Sequence, residues 1–193
     1  MGRLLDAAID RAGISDIAER ALRGETLTEA DMARLRAADV LVVAGLADAV
    51  RARHRGEAVC MFGAESARRA GDVLRVELAG GGAEGKTGQE LLVQLALARL
   101  GAPADKSVAV SYEQIGLKLA QTALAFGADA LIGDLSSKRT LPLLDGPAAR
   151  RQEITGLIER AGRTVVFMDD VVGDVARDVA DEDAPAAALE NRS

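Results

Sequence analysis

Residues 87–135 read TGQELLVQLALARLGAPADKSVAVSYEQIGLKLAQTALAFGADALIGDL, and this stretch decides the fold class. Gln89 to Leu100 repeats apolar residues at helical spacing, and Ser107 to Ser111 (SVAVS) is a short run suited to a buried strand. Glu113 to Phe126 returns to the helical period, and Ala130 to Gly133 is a second strand. Helices of about a dozen residues set between short apolar strands are the grammar of βα units. Each such helix is the crossover that lets consecutive strands run parallel.

The same alternation extends both ways. Downstream lie a helix at Arg151 to Ala161 and a strand at Thr164 to Met168 (TVVFM); upstream lie strands at Ala58 to Phe62 (AVCMF) and Val73 to Ala79 (VLRVELA). Before Ala58 the spacing is wholly helical: Leu4 to Ala12, Ile14 to Arg23, a third helix ending at Arg36, and Asp39 to His54. Gly13, Gly24 and Gly56 stand where these helices stop. Thr26 with Glu29, and Thr28 with Asp31, offer two capping-box registers for the third. The expected organisation is a helical segment over 1–56, an α/β core over 57–170 and an acidic, flexible tail over 171–193. The fold class is α/β, either a partial (half) TIM-like barrel or an open, mostly parallel sheet.

Scarcity narrows the chemistry. The 193 residues, enough for one domain, hold one Cys (Cys60), one His (His54), one Tyr, three Phe and no Trp. A single thiol excludes an internal disulfide and any cysteine-held zinc or iron–sulfur site within one chain, and one histidine removes the multi-His metal sites. No metal site is expected. Lys and Arg number 24 against 30 Asp and Glu, a net charge of −6; with so few aromatic residues this argues against nucleic acid as a partner. The longest near-continuous apolar stretch, Val40 to Ala47, falls far short of the ~20 residues of a membrane span. The opening residues carry Asp6 and Asp10 and no apolar signal core, so a cytoplasmic protein is expected.

Between the Val73–Ala79 strand and the Gln89–Leu100 helix, Gly80-Gly81-Gly82-Ala83-Glu84-Gly85-Lys86-Thr87 fits the spacing G-x-x-x-x-G-K-[ST]. Glycines in such a loop let backbone N–H groups converge on phosphate, the lysine neutralises charge and the hydroxyl holds Mg²⁺. Under this reading Gly80, Gly82, Gly85, Lys86 and Thr87 bind ATP or GTP, and Asp134 or Asp169 supplies the second acid for the metal. The alternative is a plain βα loop without a ligand.

Two stretches carry a family likeness: residues 87–135, quoted above, and EITGLIERAGRTVVFMDD from Glu153 to Asp170. Ala98-Arg99-Leu100, Leu119-Ala120-Gln121, Phe126-Gly127-Ala128-Asp129 and Ala161-Gly162-Arg163 with Val165 stand in order. They resemble the C-terminal part of the radical SAM enzymes of the futalosine route to menaquinone, aminofutalosine synthase and dehypoxanthine-futalosine cyclase, and the related deazaflavin enzymes. Gly24 to Leu35 and Leu46 to Val59 resemble the helical lead-in of the same family, so the likeness spans most of 14–170. It implies a barrel-derived fold and a link to menaquinone biosynthesis.

The departures bear on function. The family's C-x-x-x-C-x-x-C is replaced by Val59-Cys60-Met61-Phe62-Gly63-Ala64-Glu65-Ser66, and the GADD of the family is GADA here, with Ala130 in place of the second acid. A 4Fe–4S cluster with one open iron needs three thiolates, so this chain alone cannot cleave SAM reductively. The middle barrel strands are missing between Gly63 and Asp72. An open half-barrel exposes strand edges and apolar surface that water does not tolerate. A second copy, a related partner chain, or refolding into an open α/β sheet would each close the gap. Association is the expectation, with the chain a non-catalytic partner subunit without a cofactor, a homodimer or a heterodimer with a related barrel protein.

Parallel sheets bind ligands at the C-terminal ends of their strands, which nominates Glu77, the Gly80–Thr87 loop, Glu113, Asp134, Lys138 and Asp169 for a small polar ligand. Hydrated acids at solvent-facing strand ends are the competing reading. Cys60, in an apolar strand, reads as a small hydrophobe rather than a nucleophile. Asp129 reads as a turn residue, and Arg51, Arg53, Arg55, Arg68 and Arg69 as a solvated basic face.

Overall fold

The computed structural model of the protein describes residues 2–77, 87–136 and 149–168. Four helices come first: α1 (Arg3–Arg11), α2 (Ser15–Leu22), α3 (Glu29–Ala37) and α4 (Val40–Arg55). Of the two capping registers, Thr28 with Asp31 is the one used. Thr28 Oγ1 accepts the Asp31 N–H at 3.2 Å and the Asp31 carboxylate accepts the Thr28 N–H at 2.9 Å. Asp31 is the better partner because its buried carboxylate also receives two donors from Arg20, at 2.7 and 2.8 Å, which ties α3 to α2.

The Arg20 and Thr28 hydrogen bonds hold the Asp31 carboxyl well below the usual carboxylate range. A group with a lowered folded pKa stabilises the fold above its unfolded value and loses that contribution as pH falls below it. Thermal melts of the protein are therefore expected to fall in Tm below about pH 4, the ordinary aspartate range. Asp31→Asn should melt lower at pH 7 and show a flatter decline in that acid window.

The α/β part follows in the order β1 (Ala58–Phe62), α5 (Ala64–Arg69), β2 (Val73–Arg75), α6 (Gly88–Gly101), β3 (Ser107–Ser111), α7 (Tyr112–Ile115), α8 (Leu117–Ala123), β4 (Ala130–Ile132), β5 (Leu135–Ser136), β6 (Ala149–Arg150), α9 (Arg151–Arg160) and β7 (Thr164–Phe167). Five strands form one open sheet, ordered β2-β3-β4-β1-β7 and parallel throughout, while β5 and β6 pair separately. Register follows from Cys60 opposite Ala130, Ala130 opposite Ala109, and Val59 opposite Val165.

Right-handed crossovers explain the layers. The steps β2 to β3, β3 to β4 and β4 to β7 all move one way across the sheet, and their helices α6, α8 and α9 pack on one face against Val59, Met61, Val108, Val110 and Leu131. The step β1 to β2 moves the other way and puts α5 on the opposite face, where Ala67 meets Phe62, Ala109, Ala130 and Ile132. The N-terminal helices bury Ile17, Leu46, Ala47 and Val50 together with Ala96 and Leu100 of α6, so α6 belongs to both cores. Each buried Ile, Leu or Val side chain among these is worth about 1.5–3 kcal/mol of transfer free energy. No helix among the described residues is long and apolar enough to cross a membrane.

Three expectations change. The helix expected over 113–126 is broken, because Gly116 at φ 80° ends α7 and starts α8, and a 3-10 turn at Leu124–Phe126 finishes the segment. The solvated basic face does not form as a unit: Arg51 is fully buried, while Arg68 and Arg69 are exposed. Arg51 Nε donates to Asp48 at 2.8 Å, and Asp48 also receives Arg163 from the start of β7, at 2.8 and 2.9 Å. The third change concerns Asp129, below.

Candidate functional site at the strand C-terminal ends

Helices leave β1 and β4 toward opposite faces of the sheet, so a topological switch point lies between their C-terminal ends. Gly63 follows β1 and Gly133 follows β4, and the Gly133 N–H donates to the Phe62 carbonyl at 3.1 Å, which pins the two exits together. A Cβ on Gly133 would press into the ring of Tyr112, 2.9 Å from Cδ1 and closer still to Cε1 and Cζ. That ring is buried, and its hydroxyl donates to the Asp134 carbonyl.

Three of the nominated acids meet along this rim. Glu113, in the first turn of α7, accepts the Asp134 N–H on Oε1 at 2.8 Å. Its neighbour Gln114 donates from Nε2 to Glu77 Oε2 at 3.4 Å, and Arg75 Nε stands 3.9 Å from the other Glu77 oxygen. Glu77, Glu113 and Asp134 are all exposed. They form a hydrogen-bonded rim over the ends of β2, β3 and β4 that presents carboxylate oxygens to solvent. Among the described residues no group of three or more His, Cys, Asp or Glu is placed to hold a metal ion.

Thr87 is the N-cap of α6. Its Oγ1 accepts the Glu90 N–H at 3.3 Å, and the Glu90 carboxylate accepts the Thr87 N–H at 2.6 Å. The hydroxyl that the phosphate-loop reading assigns to Mg²⁺ is thus engaged in a capping box, with a carboxylate on one of the helix-end amides. Gly80, Gly82, Gly85, Lys86, Lys138 and Asp169 lie outside the described residues.

At the opposite end of the sheet stands a charge cluster that the sequence reading missed. Asp129, 1% exposed, accepts from Arg99 Nη2 at 2.8 Å, Arg55 Nε at 2.9 Å and the Val108 N–H at 2.6 Å. Arg99 also donates to the carbonyls of Gly127 and Lys106, and Arg55 to Ser107 Oγ at 2.6 Å. Burial pushes the Arg99 guanidinium down from its ordinary value while Asp129 opposes the shift. Asp129 is therefore no simple turn residue: it clasps α4, α6, β3 and β4 on the side away from the rim. The available signal was Arg99 itself, on the same helical face as Leu92, Leu95 and Ala96, where an unpaired cation is intolerable.

Cys60 is half-buried, on the α5 face of the sheet. Burial raises its thiol pKa, partly offset by the positive charge of Arg55. A raised pKa keeps the group a thiol at neutral pH, the protonated state that is a poor nucleophile. Compared with known protein families and with curated proteins, the chain matches none.

Proposed function

We propose that this chain is a non-catalytic, radical-SAM-like partner subunit that associates through the open edge of its sheet, with a second copy or with a related barrel protein. The observation that carries this reading is the edge at β7. Thr164 and Met168 donate their N–H groups inward, to the carbonyls of Glu57 and Met61. By the alternation of a parallel ladder, the N–H groups of Val165 and Phe167 then point away from β1. Among the described residues no strand meets them.

Edge strands of monomers are commonly blunted by lysine, proline or a bulge. Thr164-Val165-Val166-Phe167 carries none of these, and the Val166 side chain is 43% exposed. A lone thiol leaves the chain without a radical SAM cluster of its own. The link to menaquinone biosynthesis, and a small polar ligand at the Glu77–Glu113–Asp134 rim, rest on the family resemblance and on the switch-point rule.

The test is native mass spectrometry of the chain purified from its own host, beside a Val165→Pro variant. Proline there removes an outward donor and leaves the inward ladder to β1 intact. A dimer, or a complex with a second barrel-like chain, is expected for the wild type, with dissociation to monomer for the variant at micromolar concentration. A wild-type chain that is monomeric and partnerless at that concentration would overturn the reading. So would a Tm rise with Mg-ATP or Mg-GTP that Lys86→Ala abolishes, since that would place a nucleotide on the Gly80–Thr87 loop.

A further inference from the structure

The backbone groups of β7 alternate in direction. Thr164 and Met168 donate inward to β1, and Val166, the Cα partner of Cys60, lies in the same phase. Val165 and Phe167 therefore turn both their N–H and their C=O away from the sheet, and these free groups stand symmetrically about Val166. Upstream the run stops, because the Arg163 N–H is committed to the Ile158 carbonyl at 3.2 Å.

The side chains share this symmetry. Val166 is exposed on the α5 face, with Thr164 exposed and Met168 half-buried on either side of it. α5 is six residues long and its Ala67 packs with Phe62, Ala109, Ala130 and Ile132, which leaves Val166 uncovered. Val165 and Phe167 are half-buried on the opposite face, against the core that holds Ile154, Leu157 and Ile158 of α9. The other end of the sheet is a poorer edge, since β2 offers three residues and one of them is Arg75.

We infer that β7 pairs antiparallel with β7 of a second copy, about a two-fold axis through Val166. This deepens the edge association proposed above, on which it rests, by choosing between its two partners. A closed barrel has no free edge to lend, whereas a second copy brings the same free groups in complementary order. About that axis Val165 faces Phe167 of the second copy, and each such pair exchanges both of its N–H···O bonds, so every outward group of the strand is used. Val166 faces Val166 of the second copy at a non-hydrogen-bonded position, where Cα atoms approach to about 4.5 Å. The exposed valine is thereby covered, and Val165 with Phe167 is a β-branched–aromatic pair of the kind that favours strand pairing. Moving the axis to Val165 would set Phe167 against Arg163, whose amide is already taken.

A position that opposes itself has a distinctive charge signature. Val166→Lys and Val166→Asp are each expected to weaken the dimer at least tenfold in sedimentation velocity, because like charges then stand directly opposite; an equimolar mixture of the two should restore it. Cross-linking gives a second readout. In a Cys60→Ala background, which removes the thiol beside position 166 on β1, Val166→Cys is expected to close an intermolecular disulfide under mild oxidation. Thr164→Cys and Met168→Cys should do so only when mixed with each other. Dimers that survive both charged variants, or that Thr164→Cys links to itself, would overturn this pairing, and if Val165→Pro still dissociates them the edge association itself stands. A complex formed solely with a different barrel-like chain would likewise overturn the second copy as partner and leave that reading in place. A chain that is monomeric and partnerless at micromolar concentration would overturn both.

Discussion

Asp129→Asn is expected to lower the unfolding free energy by about 3–5 kcal/mol, a large share of the stability of a domain this size. The side chains of Asp129 and Arg99 are both 1% exposed, and Asp129 receives Arg55 as well. Asparagine keeps an oxygen for the Val108 N–H and removes the charge, so the loss reports on two cations left without their counter-charge rather than on a missing backbone bond. Replacing a buried pair by apolar groups costs far less than removing one member. Asp129→Leu with Arg99→Met should therefore be more stable than the sum of the single changes predicts, by at least 1 kcal/mol in a double-mutant cycle. Urea unfolding of the four proteins decides it. Additive single changes would mean that Arg99 and Asp129 contribute separately and that no clasp exists.

The cluster also marks where legibility ends. Periodicity alone places Ser107–Ser111 and the start of Arg151–Arg160 as they are found, and sets the edges of α4 and α6 within one residue, because their apolar faces are long enough to impose a period. α5 escapes because six residues make less than two turns, and the break at Gly116 because an apolar pattern continues across it. That the strands run mainly parallel was in the sequence; the placement of β1 between β4 and β7 was not, since strand order depends on which edges meet in space. The rim residues Glu77, Glu113 and Asp134 could be nominated because strand C-terminal ends follow directly from strand assignment. That Gln114 and the Asp134 amide would link them could not, since Gln114 and Glu77 stand 37 residues apart and Asp134 and Glu113 21 apart. Arg51 and Arg55 show the reverse failure. A run of arginines at a helix end reads as solvated, yet Arg51 is buried against Asp48 of its own helix and the fold brings Asp129 to Arg55.

Gly133→Ala is expected to cost about 3 kcal/mol, the upper part of the range for overpacking a filled site. Ordinary relief is blocked on both sides. The backbone cannot retreat without stretching the Gly133 N–H bond to Phe62, and the Tyr112 ring, 2% exposed, is tethered through its hydroxyl to the Asp134 carbonyl. The new methyl therefore acts on the rim as well as on stability: turning the ring aside pulls on Asp134, whose N–H is held by Glu113. Tyr112→Ala in the alanine background supplies the missing space, so the double variant should lie at least 1 kcal/mol above the sum of the two single losses. Backbone amide exchange gives a second readout, with the Asp134 N–H expected to lose protection in Gly133→Ala while amides of the N-terminal helices keep theirs. Uniform loss of protection across the chain would show that Gly133 serves the core in general, and the coupling between the exit of β4 and the acidic rim would fall with it.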